Sequence, residues 1–122
     1  MPTTYISGEI DISNLTPEKR LEIKKMLESF FGSTATENIF YESYLEFEEE
    51  WHNHEDTDNF MQLLIKMAPL FDKNSVSRLM AEGDTHNDYW GAVIKKGKLY
   101  IQKYKLKPAG DQKEYIPAPS PV

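Results

Sequence analysis

The sequence predicts an α+β protein with a ferredoxin-like two-layer sandwich, in which two helices pack on one face of a mostly antiparallel sheet. Two segments repeat apolar residues at the three- and four-residue spacing of amphipathic helices. Other segments alternate apolar and polar residues, as half-buried strands do. Three strand-like segments follow one another after the second helix, so the predicted element order is β-α-β-α-β-β-β.

A strand and a helix open the chain. Residues 5–12 alternate between apolar and polar side chains, which predicts a half-buried strand. Thr16 offers an N-cap hydroxyl, and Pro17 suits the first position of a helix. The apolar spacing then predicts a helix over residues 17–31, which Gly32 can end in a left-handed conformation.

An acidic, alternating segment follows at residues 38–51. No Gly, Pro or Asn interrupts it after Asn38, so we predict one long, bent strand and not a hairpin. Carboxylates on one face of such a strand lie about 7 Å apart. They form either a solvated outer face whose charge deters edge pairing or a docking surface for a basic partner. The outward carboxylates proposed for partner binding are Glu42, Glu46, Glu48 and Glu50.

A second helix is predicted after the polar loop at residues 52–58. Asp56 or Thr57 is the expected N-cap. Pro69 should disrupt the last turn, and a break at residues 72–74 should precede the next strand. The core-facing stripe of this helix is Phe60, Leu63, Leu64, Met67 and Phe71.

Three strands close the predicted sheet. Strands at residues 76–82 and 89–94 flank a polar loop, and Lys96-Gly97 can turn the chain into a further strand at residues 99–101. Trp90 beside the polar loop is either a core anchor or part of a site, since its N–H needs a partner. The candidate loop site comprises Asp84, His86, Asp88 and Trp90.

Residues 1–106 are predicted to form a single α+β domain, because 122 residues suit one hydrophobic core. Residues 107–122 contain four prolines and little to bury, which predicts a flexible C-terminal tail. The expected core residues are Ile6, Ile10, Leu27, Phe30, Leu45, Phe47, Phe60, Leu64, Met67 and Val93.

Charge is distributed unevenly along the chain. The formal net charge is −6, but residues 1–90 hold 18 acidic and 7 basic residues, whereas residues 91–122 hold 2 and 7. No Lys or Arg occurs between residues 26 and 65. Such an acidic surface repels nucleic acid and attracts basic partners, so nucleic acid is a disfavoured partner.

The composition also bears on the compartment. The chain has no cysteine, and no apolar run approaches the roughly 20 residues that cross a bilayer. Its first residues lack a basic segment followed by an apolar run. We therefore expect a cytoplasmic protein without a membrane segment or disulfides.

Two short motifs lie in the first and last parts of the predicted domain. One is the opening strand Gly8-Glu9-Ile10-Asp11-Ile12 followed by Leu15-Thr16. The other is the closing hairpin with Glu82-Gly83-Asp84, Asp88-Tyr89-Trp90 and Gly97-Lys98. Together these motifs resemble a family of small proteins encoded by bacteriophages and Gram-positive bacteria. The resemblance covers about a third of the chain and not its middle. It implies the α+β sandwich and a phage or mobile-element context, and it implies no activity.

Catalytic patterns are weaker than the charge pattern. His52 and His54, joined by His86 and nearby carboxylates, could ligate zinc or manganese, although the helical H-E-x-x-H spacing is absent. Neither a cysteine nucleophile nor a G-x-S-x-G turn is present, and the glycines form no phosphate-binding loop. Lysines interleaved with Tyr100 and Tyr104 could bind single-stranded nucleic acid, or they could protect an edge strand from aggregation.

These patterns favour a non-catalytic protein without a cofactor over an enzyme. The leading hypothesis is an acidic protein-interaction module, of the kind a phage or mobile element uses as an accessory or anti-defence factor, which binds a basic surface of a host protein. The alternative is a metal-dependent hydrolase or nuclease that uses His52, His54, His86 and adjacent carboxylates. A third hypothesis is self-association into a homodimer through exposed strand edges.

Overall fold

The fold consists of one five-stranded antiparallel sheet with helices packed on one of its faces. A computed structural model describes residues 3–84, 88–105 and 107–119 of the chain. Its strands are β1 (Thr4–Asp11), β2 (Tyr44–Trp51), β3 (Val76–Glu82), β4 (Tyr89–Lys95) and β5 (Lys98–Tyr104). Its helices are α1 (Pro17–Phe31), α2 (Ser33–Thr36) and α3 (His54–Met67), and a 3-10 helix spans Ala68–Leu70.

The strands lie in the order β2-β1-β3-β4-β5. The chain returns through α1 and α2 to place β2 antiparallel to β1, and α3 then carries it across to β3 on the other side of β1. The strands β3, β4 and β5 form a meander. The predicted two-layer α+β architecture is confirmed. The ferredoxin-like assignment is not, because that fold has the element order β-α-β-β-α-β.

The first helix begins and ends where the sequence predicts. The Thr16 hydroxyl accepts a hydrogen bond from the Lys19 backbone N–H at 3.3 Å, and Pro17 occupies the first turn. Gly32, with φ of 89°, donates its N–H to the Glu28 carbonyl and ends the helix. The second predicted helix, α3, starts earlier than the sequence indicates. Asn53, and not Asp56 or Thr57, is the N-cap of α3.

The predicted long strand over residues 38–51 is wrong. The short helix α2 and a turn occupy the approach to β2, which begins only at Tyr44. The Tyr41 N–H donates to the Tyr44 carbonyl at 3.0 Å, and an isolated bridge pairs Phe40 with Leu45. Glu42, predicted to be on the acidic strand, therefore lies in the turn that precedes β2. The backbone reverses there with no Gly or Pro to mark the reversal.

The last hairpin confirms the predicted Lys96-Gly97 turn. Both residues have positive φ values, 53° for Lys96 and 73° for Gly97. A two-residue loop with two positive φ values matches the right-handed twist of the strands that it joins. Lys95 and Lys98 form the closing pair, so β5 lies beside β4 along its full length.

The core lies between the helices and the sheet. Buried side chains of alternate strand residues, such as Ile10 and Leu79, belong to one cluster with helix residues such as Ile23 and Leu64. Most of the predicted core residues are buried. Phe30 is an exception, since it is 36% exposed on the rim of α1. The buried residues of the predicted set are Ile6, Ile10, Leu27, Leu45, Phe47, Phe60, Leu64, Met67 and Val93.

Gly8, the glycine of the opening motif, lies where β1 and β3 approach each other closely. Its φ is +147°, and a Cβ there would lie 3.0 Å from the Leu79 side chain and 3.1 Å from the Arg78 carbonyl oxygen. A side chain at this position would therefore push β3 away from β1.

The described residues after β5 contribute no regular element. Residues 107–119 are exposed and belong to no helix or strand. Among the described residues, no helix combines the length and the apolar character that a membrane span needs.

Candidate interaction surface

The face of the sheet opposite the helices is open, and its β1 and β2 half is acidic. The pairing register places alternate residues of the two strands on this face. All five of its carboxylate residues are exposed, and neither strand contains a Lys or Arg. We call the set the acidic face: Glu9, Asp11, Glu46, Glu48 and Glu50.

Like charges meet directly on the acidic face. Glu9 and Glu46 are partners across the two strands. Like charges directly opposite each other destabilise a sheet. The repulsion between Glu9 and Glu46 therefore lowers the stability of the sheet, and a neutral residue at either position would remove it.

One hydrogen bond orders part of this surface. The Tyr5 hydroxyl donates to Glu48 Oε1 at 2.8 Å, across 43 residues of sequence. This bond, together with the nearby carboxylates, raises the pKa of the Tyr5 phenol. The hydrogen bond restricts the Glu48 side chain, whereas Glu46 and Glu50 have no such partner among the described side chains.

Asp11 is fixed at the far end of β1. Its carboxylate accepts hydrogen bonds from the Ser13 hydroxyl at 2.6 Å and from the Ser13 N–H at 2.8 Å. The Ser13 hydroxyl, followed by its N–H, lowers the pKa of this carboxyl group. Asp11 consequently stays ionised to a lower pH than an ordinary aspartate, and it keeps its negative charge on the acidic face.

Glu49 differs from its neighbours because it points to the helix side of the sheet. It is paired with the buried Ile6 and is itself only partly exposed. Burial, followed by the nearby Glu48, raises the pKa of the Glu49 carboxyl group. It lines a cavity of about 370 Å³ along the outer edge of β2, together with Phe31 and Ile39.

The other half of the open face is basic and aromatic. It lies on β4 and β5, and two cations contact tyrosine rings there. The Lys95 ammonium lies 4.9 Å from the Tyr100 ring centroid, and the Arg78 guanidinium of β3 lies 5.8 Å from that of Tyr104. We call this set the basic–aromatic face: Arg78, Lys95, Lys98, Tyr100 and Tyr104.

The predicted loop site is partly brought together. The Gly83 N–H donates to the Asp88 carbonyl at 2.8 Å, and a Cβ on Gly83 would overlap the Asp88 carboxylate. Asp88 and Trp90 line a groove of about 480 Å³ on the helix side of the sheet. Asp84 is exposed and is not among the residues that line this groove. His86 lies outside the described residues.

Sequence reasoning missed the apolar part of this groove. Met61 and Ile65 of α3 face Leu99 and Ile101 of β5 across it, and Ile65 and Ile101 are 47% and 53% exposed. The available signal was Ile65, which falls outside the buried stripe of its helix and still carries a large apolar side chain.

The histidines of the predicted metal site lie at the start of α3. His54 is its first residue, His52 precedes it in a bend, and both are exposed. Within residues 3–84, 88–105 and 107–119, no three His, Asp or Glu side chains are grouped so that they could hold a metal ion. The set with His86 involves a residue outside that range, so the zinc or manganese site stays a prediction.

Another cavity, of about 580 Å³, lies between the two long helices. Met26 and Phe30 of α1 and Leu63 of α3 form its apolar wall, and Lys25 and Lys66 lie at its rim. The remaining lining residues are polar: Glu22, Ser29, Asn59 and Gln62.

Comparison with known proteins adds no relative. No protein-family model matches the chain, and neither the curated proteins nor the solved structures contain a significant match.

Proposed function

We propose that this protein is a non-catalytic interaction module whose acidic face binds a basic surface of a partner protein. The observation that carries the proposal is the placement of five exposed carboxylates on one open sheet face, across two adjacent strands without Lys or Arg. Complementary charge steers a basic partner to such a face and fixes its register. The resemblance of the two terminal motifs to phage-encoded proteins supports a host protein as that partner.

The rigid position of the carboxylates supports binding over simple solvation. The acidic face lies on paired strands and not on a loop, so its charges keep a fixed spacing. The Tyr5–Glu48 hydrogen bond and the contacts of Asp11 with Ser13 further restrict two of the five side chains. Charges that are already ordered lose little conformational entropy when a partner binds.

A pull-down from a bacterial host lysate tests the proposal. The bait is either the wild-type chain or the triple variant Glu46→Lys, Glu48→Lys and Glu50→Lys, at low and at high salt. We expect the wild type to retain basic proteins at low salt, and the variant to retain at least about tenfold less, equivalent to about 1.4 kcal/mol. Raising the salt should release the retained proteins, because exposed charges are screened.

A matched control separates surface position from net charge. Glu22→Lys, Asp111→Lys and Glu114→Lys change the total charge by the same amount away from the acidic face. This control should retain the same proteins as the wild type. Equal retention by the wild type and the acidic-face variant, with both folded by circular dichroism, would contradict the proposal.

A further inference from the structure

The open face divides into two halves of opposite charge at its central strand. β3 has two strands on either side, β2 and β1 on one and β4 and β5 on the other. The acidic face occupies the first pair, and Lys95 and Lys98 belong to the second. On β3 itself, Val76 and Met80 are 63% and 44% exposed on this open face.

We propose that a second copy of this chain covers the open face, so that the acidic face of each copy lies against the basic–aromatic face of the other. This inference rests on the proposed function, because it uses the same acidic face and names its partner as a second copy of the chain. The arrangement is a two-fold dimer, in which each contact occurs twice.

The strand order selects one orientation of the two-fold axis. An axis parallel to β3 places β1 of one copy over β4 of the other, and β2 over β5. An axis perpendicular to the strands would place β2 over β2, and the carboxylates of Glu46, Glu48 and Glu50 would then repel each other. Only the axis along β3 brings opposite charges together on both sides.

The exposed apolar side chains support the same arrangement. Val76 and Met80 lie near the proposed axis, and Tyr100, which is 41% exposed, lies between the axis and the β5 edge. Arg78 and Glu82 alternate with Val76 and Met80 on β3, so the centre of the contact combines apolar and charged side chains.

The area just clears the lower limit for a specific contact and is typical of a weak dimer. Five strands about 4.8 Å apart and seven residues long, at about 3.3 Å per residue, span roughly 24 by 23 Å. Covering that face in both copies removes about 1,100 Å² from water, which is above the roughly 1,000 Å² expected of a specific interface. Two sheets stack face to face about 10 Å apart, with their strands within about 30° of each other.

The contacts of Lys95 and Arg78 with tyrosine rings are also consistent with a second copy that covers the open face. Lys95 and Arg78 lie over tyrosine rings of their own sheet, so their charges remain close to the sheet surface. Cations in this position can meet the carboxylates of a second sheet without first ordering a long, free side chain.

Charge exchange between two variants tests this dimer by sedimentation velocity. The acid-side variant carries Glu46→Lys and Glu48→Lys, and the base-side variant carries Lys95→Glu and Lys98→Glu. We expect the wild type to sediment increasingly as a dimer as its concentration rises, and each variant alone to remain monomeric because like charges now face each other. An equimolar mixture of the two variants should recover the dimer, since both contacts of the mixed pair are again of opposite charge.

A wild type that stays monomeric at every concentration would overturn the inference, and so would a mixture that does not recover the dimer. A dimer that persists in both single variants would assign the contact to another surface, for example a strand edge. A control variant with Glu22→Lys and Glu37→Lys, which lie off the open face, should dimerise like the wild type.

The same variants separate this inference from the proposed function. The base-side variant keeps the acidic face intact, so it should still retain basic host proteins in the pull-down if the proposed function holds. Retention of those proteins together with a wild type that is monomeric at every concentration is therefore the result when only the dimer is wrong. Recovery of the mixed dimer without capture of any basic protein is the result when only the host-binding role is wrong.

Discussion

At the scale of single residues, Glu49 is the carboxylate whose environment differs most from that of its neighbours. It lies on the helix side of β2, whereas Glu48 and Glu50 lie on the open side. Its folded pKa is raised above 4.5, chiefly by burial. Ionisation of Glu49 therefore opposes folding. This cost is absent below the unfolded pKa and develops as the pH rises through the folded pKa.

The variant Glu49→Gln should be more stable than the wild type at neutral pH, because an amide has no charge to desolvate. The difference in the free energy of unfolding should shrink as the pH falls through the raised folded pKa of Glu49, and it should be absent below the ordinary value of 4.5. Urea denaturation between acidic and neutral pH measures both effects. Glu114→Gln in the exposed tail is the control and should leave stability unchanged, and a gap that is equal at every pH would contradict the prediction.

The direction of these side chains could be read from the alternating pattern. It correctly separated Leu45, Phe47 and Glu49 from the outward Glu46, Glu48 and Glu50. The contact between Tyr5 and Glu48 could not be predicted, because it depends on the register between two strands 43 residues apart.

At the scale of secondary-structure elements, the start of α3 depends on one side chain. The Asn53 side-chain oxygen accepts a hydrogen bond from the Asp56 N–H at 2.7 Å, and its amide donates to the Asp56 carboxylate at 2.9 Å. These bonds satisfy a free backbone donor at the helix start and hold a negative charge near the positive end of the helix dipole.

Asn53→Ala should lower the free energy of unfolding by about 0.5–2 kcal/mol, the usual cost of losing a helix N-cap. Chemical denaturation monitored by circular dichroism measures this loss. Asn59→Ala in the same helix is the matched control, since Asn59 is exposed and makes no capping bond. It should be neutral or slightly stabilising because alanine favours helix. Equal losses in the two variants would refute the capping role of Asn53.

Element bounds could be predicted where a single signal was strong. Thr16, Pro17 and Gly32 marked both ends of α1 correctly. At α3 several capping residues lie within about one turn of sequence, and the one used is Asn53, two residues after β2 ends at Trp51. At β2 the alternation continued through the turn at residues 41–44, which stacked tyrosine rings help to form. Alternation alone could not reveal it.

At the scale of the whole molecule, the packed fold ends with β5. Residues 107–119 are exposed, and Tyr115 and Ile116 retain 86% and 79% of their accessible surface. Side chains that bury so little surface contribute little to the stability of the core.

Truncation after Leu106 should therefore change the free energy of unfolding by less than about 0.5 kcal/mol, as expected for residues away from the core. Thermal and urea denaturation of the full-length and truncated chains provide the measurement. A shorter truncation after Gly110 is the control, because it keeps the first residues that follow β5. A large loss of stability in the longer truncation alone would show that residues 107–110 pack on the domain.

The sequence predicts how charge is divided along the chain, but not how that charge is distributed over the surface of the folded protein. The sequence separates an acidic first part from a basic last part. The strand order then places β2 beside β1 at one edge and β5 at the other, which turns that separation into two halves of one face. Which side of β1 receives β2 depends on how α1 and α3 pack, and no local pattern specifies it.

The groove beside β5 contains its own optical probe. The chain has two tryptophans, and Trp90 lines the groove, whereas Trp51 packs among Phe30, Phe31 and Phe60. A Trp51→Phe variant would keep an aromatic ring in that cluster and leave a single indole next to Ile101. Its emission wavelength then depends on how much water enters the groove, so a fluorimeter can follow any molecule that displaces that water.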